Sequence, residues 1–187
     1  MELLERIAGH ARLRGTAVAV RQVDCAGRVL TYGQLQQKID AIAARLRGRF
    51  SRGAVVILLC ANRPEFWAGY FGILAADLSV FPVNADIAAA EFARLVERSG
   101  AVGVICEGRL RMMAERFGEI AELPELAGDM LLARAREDRP VQPGAGLLLQ
   151  SSGTTGNARI VWRSAASLDW MARSLYERIG FSPEDRV

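Results

Sequence analysis

The segment LLLQSSGTTGNARIVW, residues 147–162, gathers the groups of this chain best suited to hold an anion. Ser151, Ser152, Thr154 and Thr155 supply rotatable hydroxyl donors. Gly153 and Gly156 permit backbone conformations in which successive N–H groups point into one concavity. No acidic residue occurs from Val141 through Leu168, whereas Arg159 and Arg163 bring positive charge. Donors and cations without a competing carboxylate are what phosphate oxygens require. A polar hairpin turn has the same composition, because Ser, Thr, Gly and Asn dominate turns for local reasons. The residue types alone leave both readings open. Spacing excludes several other chemistries. The fifth position after Gly153 is Ala158 and no Gly-Lys-Ser/Thr follows, so this is not a Walker A loop. No serine sits between glycines as a nucleophile elbow requires. The lone His10 lies far from the loop in sequence and reads as a surface or capping residue, not a base. No cluster with metal-ligand spacing is present, so no protein metal site is expected.

The elements that must position this loop follow from periodicity. GLLLQ (146–150) and ARIVW (158–162) are strand patterns on either side of it. Upstream, residues 2–14 read as a helix, AVAVRQV and RVL as short strands around a turn, and Thr31 with Gln34 as a capping box. The box opens an amphipathic helix whose apolar face is Leu35, Ile39, Ile42, Ala43 and Leu46, with Gly48 as its stop. AVVILLC (54–60) is a continuous apolar run, as expected for a parallel strand covered on both faces. Asn62 with Glu65 is expected to cap the next helix, which has Pro64 in its first turn. That helix carries Phe66, Trp67, Tyr70, Phe71, Ile73 and Leu74 and is expected to be deeply packed nearly all round. SVFPVN is a strand, Asp86 opens a helix running to Ser99-Gly100, AVGVIC is a strand, and a helix follows through Leu110 to Phe117. Residues 118–144 read as a connection with one short strand near Met130–Ala133. Strands alternating with helices of this length predict an α/β fold: a mostly parallel sheet with helices on both faces, ending in a strand–loop–strand hairpin.

Composition sets the outer bounds. The 187 residues are 51% hydrophobic and 24% charged, which is globular and suffices for a single core. Net charge is +3, Lys38 is the only lysine, and no basic block occurs, so nucleic acid is not an expected partner. Cys25, Cys60 and Cys106 are odd in number and without CxxC spacing, which points to reduced thiols. The N-terminal segment mixes acids and bases through its apolar positions and is no signal peptide. The longest apolar stretch, Phe66–Val83, is broken by Asp77, Ser79 and Pro82, so no transmembrane segment is expected. These features together predict a cytoplasmic protein.

The order of residues in SSGTTGNARIV resembles the phosphate-binding loop of the adenylate-forming superfamily, whose usual form is Ser/Thr-Ser-Gly-Thr-Thr-Gly-x-Pro-Lys-Gly-Val. That superfamily comprises acyl- and aryl-CoA synthetases, peptide-synthetase adenylation domains and luciferases. Ser151 to Gly156 match without a gap, and Val161 matches the closing valine. LTYGQLQQKIDAIAARL (30–46) resembles the family's Leu-Thr-Tyr helix segment. VVILLCANRPEFWAGYFGILAADLSVFPVN (55–84) is similar to its strand–helix–strand, with Asp77 or Leu78 in place of a common glycine. The resemblance extends coarsely over the whole chain, and only the loop is specific.

The resemblance implies that a carboxylic acid substrate attacks the α-phosphate of ATP with Mg²⁺ present, giving an acyl-adenylate. The acyl group then passes to coenzyme A or to the phosphopantetheine of a carrier protein. Ser151, Ser152, Gly153, Thr154, Thr155 and Gly156 would cradle the phosphates, and Arg159 would stand near the usual lysine. Asn157, Ala158 and Ile160 depart from the pattern, and an arginine does not reproduce the compact ammonium of lysine. The family's adenine-loop, ribose-aspartate and C-terminal lysine motifs do not occur in these residues. The resemblance therefore implies residues 1–187 are the N-terminal portion of the family's large domain. The catalytic residues are expected beyond Val187, the fragment alone is expected to be inactive, and uncovered apolar surface is expected to cause self-association. The first reading is an acyl- or aryl-carboxylate–CoA ligase. A carrier-loading adenylation domain, and a non-catalytic nucleotide-phosphate binding or interaction module, remain alternatives.

Overall fold

The computed structural model describes residues 1–23, 27–126, 129–135, 142–151 and 159–180. Helix α1 (Glu2–Arg14) leads into an antiparallel ribbon of β1 (Val18–Arg21) and β2 (Val29–Thr31). Helix α2 (Tyr32–Leu46) starts from the predicted capping box: the Gln34 N–H donates to Thr31 Oγ1 (3.2 Å) and the Thr31 N–H to Gln34 Oε1 (3.0 Å). Its five predicted apolar positions are all buried. There follow β3 (Val55–Leu59), α3 (Pro64–Ala75), β4 (Ser79–Val83), α4 (Ala89–Ser99), β5 (Gly103–Glu107) and, after a 3-10 turn, α5 (Arg111–Phe117). The chain continues through β6 (Glu119–Glu122), β7 (Met130–Arg134), β8 (Gly146–Gln150), β9 (Ile160–Ser164) and α6 (Ala165–Ile179).

Seven strands form one sheet in the order β6-β7-β5-β3-β4-β8-β9. The central pairs β5/β3, β3/β4 and β4/β8 are parallel, and the outer pairs are antiparallel. β6, β5, β3, β4 and β8 thus all run one way, and the predicted mostly parallel sheet is what forms. Alternation along β3 divides the core. Val56, Leu58 and Cys60 face one layer with α2, α3 and Leu168 of α6. Val55, Ile57 and Leu59 face the other, with Phe92, Leu95 and Val96 of α4 and Ala114 of α5. All five residues of β3 are buried, as a strand covered on both faces must be. Among the described residues no helix is long and apolar enough to cross a membrane.

Local expectations fail where side chains find stronger partners than the backbone. Asn62 and Glu65 do not cap α3. Arg63 is the N-cap residue and makes no side-chain cap bond, while the Glu65 carboxylate receives Arg63 (2.7 Å) and Arg28 (3.3 Å). Pro64 does occupy the first turn. Nor is α3 deeply packed all round. Its buried face is Ala68, Gly69, Gly72, Ile73 and Leu74, whereas Trp67 is 43% exposed and the other rings are half-buried. The small residues let α3 approach α2 closely: a Cβ on Gly72 would lie 2.7 Å from Ile42 Cβ. The rings are left to pack on one another, Trp67 on Phe71 at 5.9 Å and Phe66 on Trp67 at 5.4 Å. Asp86 does not open α4, which begins at Ala89. The Asp86 N–H instead donates to Asn84 Oδ1 (3.0 Å), a local turn that delays the helix. The connection after α5 contains β6 as well as the expected strand, and the two pair along their length.

Candidate functional site

β8 is parallel to β4, so its last residue lies at the edge of the sheet where the central parallel strands end. In open α/β sheets, ligands bind outside this carboxyl edge. The register of the hairpin runs from Gly146↔Ser164 to Gln150↔Ile160. One step further, the Ser151 N–H donates to the Arg159 carbonyl (2.9 Å). The Arg159 N–H donates to Ser151 Oγ (3.1 Å), and that hydroxyl faces the Arg159 carbonyl at 3.3 Å. The structure therefore joins Ser151 and Arg159 at the neck of the expected anion loop. Ser152, Gly153, Thr154, Thr155 and Gly156, with Asn157 and Ala158, lie outside the described residues.

Behind the neck, the hairpin is fastened to the sheet by contacts that no motif announced. Trp162 Nε1 donates to Ser79 Oγ (3.0 Å), and Ser79 Oγ donates to the Gly144 carbonyl (3.0 Å). The Trp162 indole lies where a Cβ on residue 146 would be, which is why glycine begins β8. In the register Gly146 faces Ser164 and Trp162 faces Leu148, so the indole reaches the glycine diagonally, which the sequence does not announce. Ser164 then caps α6 by accepting the Ser167 N–H (3.2 Å). Asp169 of α6 accepts the Glu2 and Leu3 N–H groups at the start of α1 (2.9 and 3.0 Å), tying the chain's two outer helices together.

The same sheet edge carries a second group of charged residues, and these are paired. Glu107 at the end of β5 is buried yet ionised. Burial acts to raise its pKa, but the Ala61 N–H (2.7 Å) and Arg109 Nε (2.7 Å) overcome it and hold the carboxyl below its ordinary value. Arg63 grips Asp129 through two nitrogens (3.0 and 2.8 Å), holding that carboxyl low as well. These cations are neutralised and the ends of β3, β5 and β7 are locked. Arg159 and Arg163 differ: both side chains are exposed, and neither is in an ion pair among the described residues. Arg159 stands at the neck on the carboxyl edge, where its charge is available to an anion, whereas Arg163 faces Leu147 near the start of β8, at the other end of the hairpin.

Other residues singled out in the sequence lie outside the hairpin neck. Cys60 and Cys106 are free thiols buried on opposite faces of the sheet, and burial pushes the pKa of each up to about 12. Cys25 lies outside the described residues. His10 packs against the Tyr32 ring at 5.1 Å. Among the described residues no group of three or more metal-ligating side chains comes together. Of the two candidates for the family's missing glycine, it is Asp77 that adopts the left-handed backbone, with φ of 61°. Its carboxylate accepts the Ala145 N–H (3.3 Å) and pairs with Arg52, so it also holds the strand leading into β8.

Comparison with known proteins supplies the family. Residues 7–187 match the family described as AMP-binding enzyme. The D-alanine–D-alanyl carrier protein ligase of Bacillus velezensis is 27% identical over 180 residues, covering 92% of this chain and 35% of that protein. The nonribosomal peptide synthetase gliP of Aspergillus fumigatus is 26% identical over 147 residues, covering 73% of this chain and 7% of that protein. Among solved structures, O-succinylbenzoate coenzyme A synthetase of Bacillus subtilis in complex with AMP superposes with a TM-score of 0.74 at 19% identity, covering 96% of this chain and 47% of that chain. This chain thus spans about a third of the first of these proteins and about half of the last. With the matched residues running almost from end to end, and the fold agreeing, the chain belongs to the AMP-binding, adenylate-forming enzyme family.

Proposed function

We propose that these residues form the N-terminal portion of the large domain of an ATP-dependent carboxylic acid–thiol ligase, and that the loop between β8 and β9 holds the ATP phosphates. One observation carries the reading: a hydroxyl- and glycine-rich segment without acids leaves and re-enters the sheet at its carboxyl edge, beside Arg159, which has no ion-pair partner among the described residues. In that reading Ser152, Gly153, Thr154, Thr155 and Gly156 direct donors at the β- and γ-phosphates, with Ser151 and Arg159 at the neck. The donor set fits a polyphosphate, since it offers neutral donors and cations and withholds carboxylates. It fits Mg²⁺ only as the ion travels with ATP, through phosphate and hydroxyl oxygens. When bound, the metal adds neutralising charge beside the phosphates. Neutral donors also suit a product that must leave, because pyrophosphate is released more readily from them than from fixed cations.

The reaction follows as carboxylate attack on the α-phosphorus, displacing pyrophosphate to give an acyl-adenylate, and then attack of a thiol on the acyl carbonyl, displacing AMP. Coenzyme A is the first acceptor to consider. A carrier protein's phosphopantetheine is the second, and the relatives favour it: those that match at 26–27% identity are a carrier protein ligase and a nonribosomal peptide synthetase, while the likeness to a coenzyme A synthetase is one of fold alone. Acid-dependent exchange of pyrophosphate into ATP, screened over fatty, aryl and amino acids on the protein expressed from its complete reading frame, tests the adenylation step. Exchange with one acid class supports the ligase. ATP binding without exchange for any acid contradicts it and supports the non-catalytic module. Offering coenzyme A and a phosphopantetheinylated carrier to the positive acid then separates the acceptors.

A further inference from the structure

We propose that Ser151 is a positioning residue whose hydroxyl holds the Arg159 main chain at the neck of the β8–β9 hairpin. This role rests on the phosphate-loop reading above and deepens it. Facing residues of an antiparallel ladder alternate between pairs that exchange both main-chain bonds and pairs that exchange none, and Ser151 with Arg159 stands at a bonded position. Ser151 and Arg159 exchange only one in that way, from the Ser151 N–H to the Arg159 carbonyl (2.9 Å). The return bond from the Arg159 N–H goes to the Ser151 hydroxyl oxygen (3.1 Å), and the hydroxyl proton is directed back at the Arg159 carbonyl (3.3 Å).

Two consequences follow. The Arg159 N–H is held by the Ser151 side chain in the place a main-chain carbonyl takes in a regular ladder. The Ser151 hydroxyl also spends its single proton on Arg159, leaving no donor for a phosphate oxygen. A side chain that replaces a backbone acceptor is a recognised competitor of secondary structure, and serine is short enough to do it within its own residue pair. Ser151 thus differs from the hydroxyl residues that follow it. It fixes where the Arg159 main chain stands, and acts on ATP only through that placement.

Hydrogen exchange at the Arg159 amide reads the latch without nucleotide, and pyrophosphate exchange reads its effect on ATP. Ser151→Thr keeps the hydroxyl, and Ser151→Val matches the threonine in shape without one, so the pair separates the bond from the shape of the side chain. The expected result is normal Arg159 protection in Ser151→Thr and protection lowered by about tenfold or more in Ser151→Val. The KM for ATP in the valine variant should rise by about three- to tenfold, the worth of one ordinary hydrogen bond, with kcat little changed. Thr155→Ala should raise KM while leaving Arg159 protection intact. Unchanged Arg159 protection in Ser151→Val would overturn the latch, and a raised KM in that case would make Ser151 a direct ligand. An unchanged KM in Thr155→Ala would count against the phosphate loop itself, with the latch still decided by the amide.

Discussion

Asp77 occupies a backbone conformation that normally belongs to glycine, and holds it with its carboxylate on Ala145 and Arg52. Asp77→Ala keeps the strain and loses both partners, so it should destabilise the fold by about 2 kcal/mol. Asp77→Gly removes the strain with the partners and should cost about 1 kcal/mol less than the alanine variant. Urea unfolding of the two variants side by side reads the difference. Glu107 gives the matching prediction for pH. Its folded pKa lies below the ordinary 4.5, so the unfolded chain takes up the proton first on acidification. The stability it contributes is complete above the ordinary carboxylate range and is lost as pH falls through the folded value. Asp129, held low by Arg63, adds to the same limb below its ordinary 3.8. Glu107→Gln should lower the urea midpoint at pH 7 and flatten its fall toward pH 3. Cys60 and Cys106 behave in the opposite sense, staying protonated up to about 12, so a thiol reagent at pH 8 should label neither until the protein is unfolded.

Helices and strands were legible where one physical signal dominated. The capping box at Thr31 and the apolar face of α2 were readable to the residue, because a side-chain cap and a 3.6-residue period do not depend on distant contacts. The β3 run was equally plain, since a strand buried on both faces leaves no alternation to misread. The aromatic helix α3 was not: six large apolar residues concealed the fact that the packed face is built around Ala68, Gly69 and Gly72. Only the partner helix tells which face wins, and Ile42 against Gly72 decides it. Gly72→Ala should therefore cost about 1–3 kcal/mol through overpacking, whereas Trp67→Ala at the exposed rim should cost less, as thermal unfolding will show. At the candidate site, the hydroxyls and glycines of the loop and the flanking strands were visible in the sequence. The Trp162–Ser79–Gly144 joint and the Ser151–Arg159 latch were not, because each depends on the strand register that brings distant residues together.

At the scale of the molecule, the carboxyl edge of the sheet is electrostatically closed at β3, β5 and β7 and open at the β8–β9 neck. Glu107, Arg109, Arg63 and Asp129 lock that edge, while Arg159 at the hairpin neck faces solvent. Apolar surface is concentrated beyond that hairpin: Trp170 of α6 is 69% exposed, and Met171, Leu175 and Ile179 form an exposed stripe at intervals of one turn. Residues 1–187 in isolation should accordingly self-associate, and Leu175→Glu should shift sedimentation toward the monomer. A wild-type chain that sediments as a clean monomer would contradict this. The central claim concerns the β8–β9 loop, and one measurement addresses it most directly: ATP dependence of acid-stimulated pyrophosphate exchange for Thr154→Ala and Thr155→Ala in the protein from its complete reading frame. A loop that holds the ATP phosphates predicts a KM for ATP raised by about tenfold in each, with the KM for the acid unchanged. Exchange kinetics indistinguishable from those of the parent protein would contradict it.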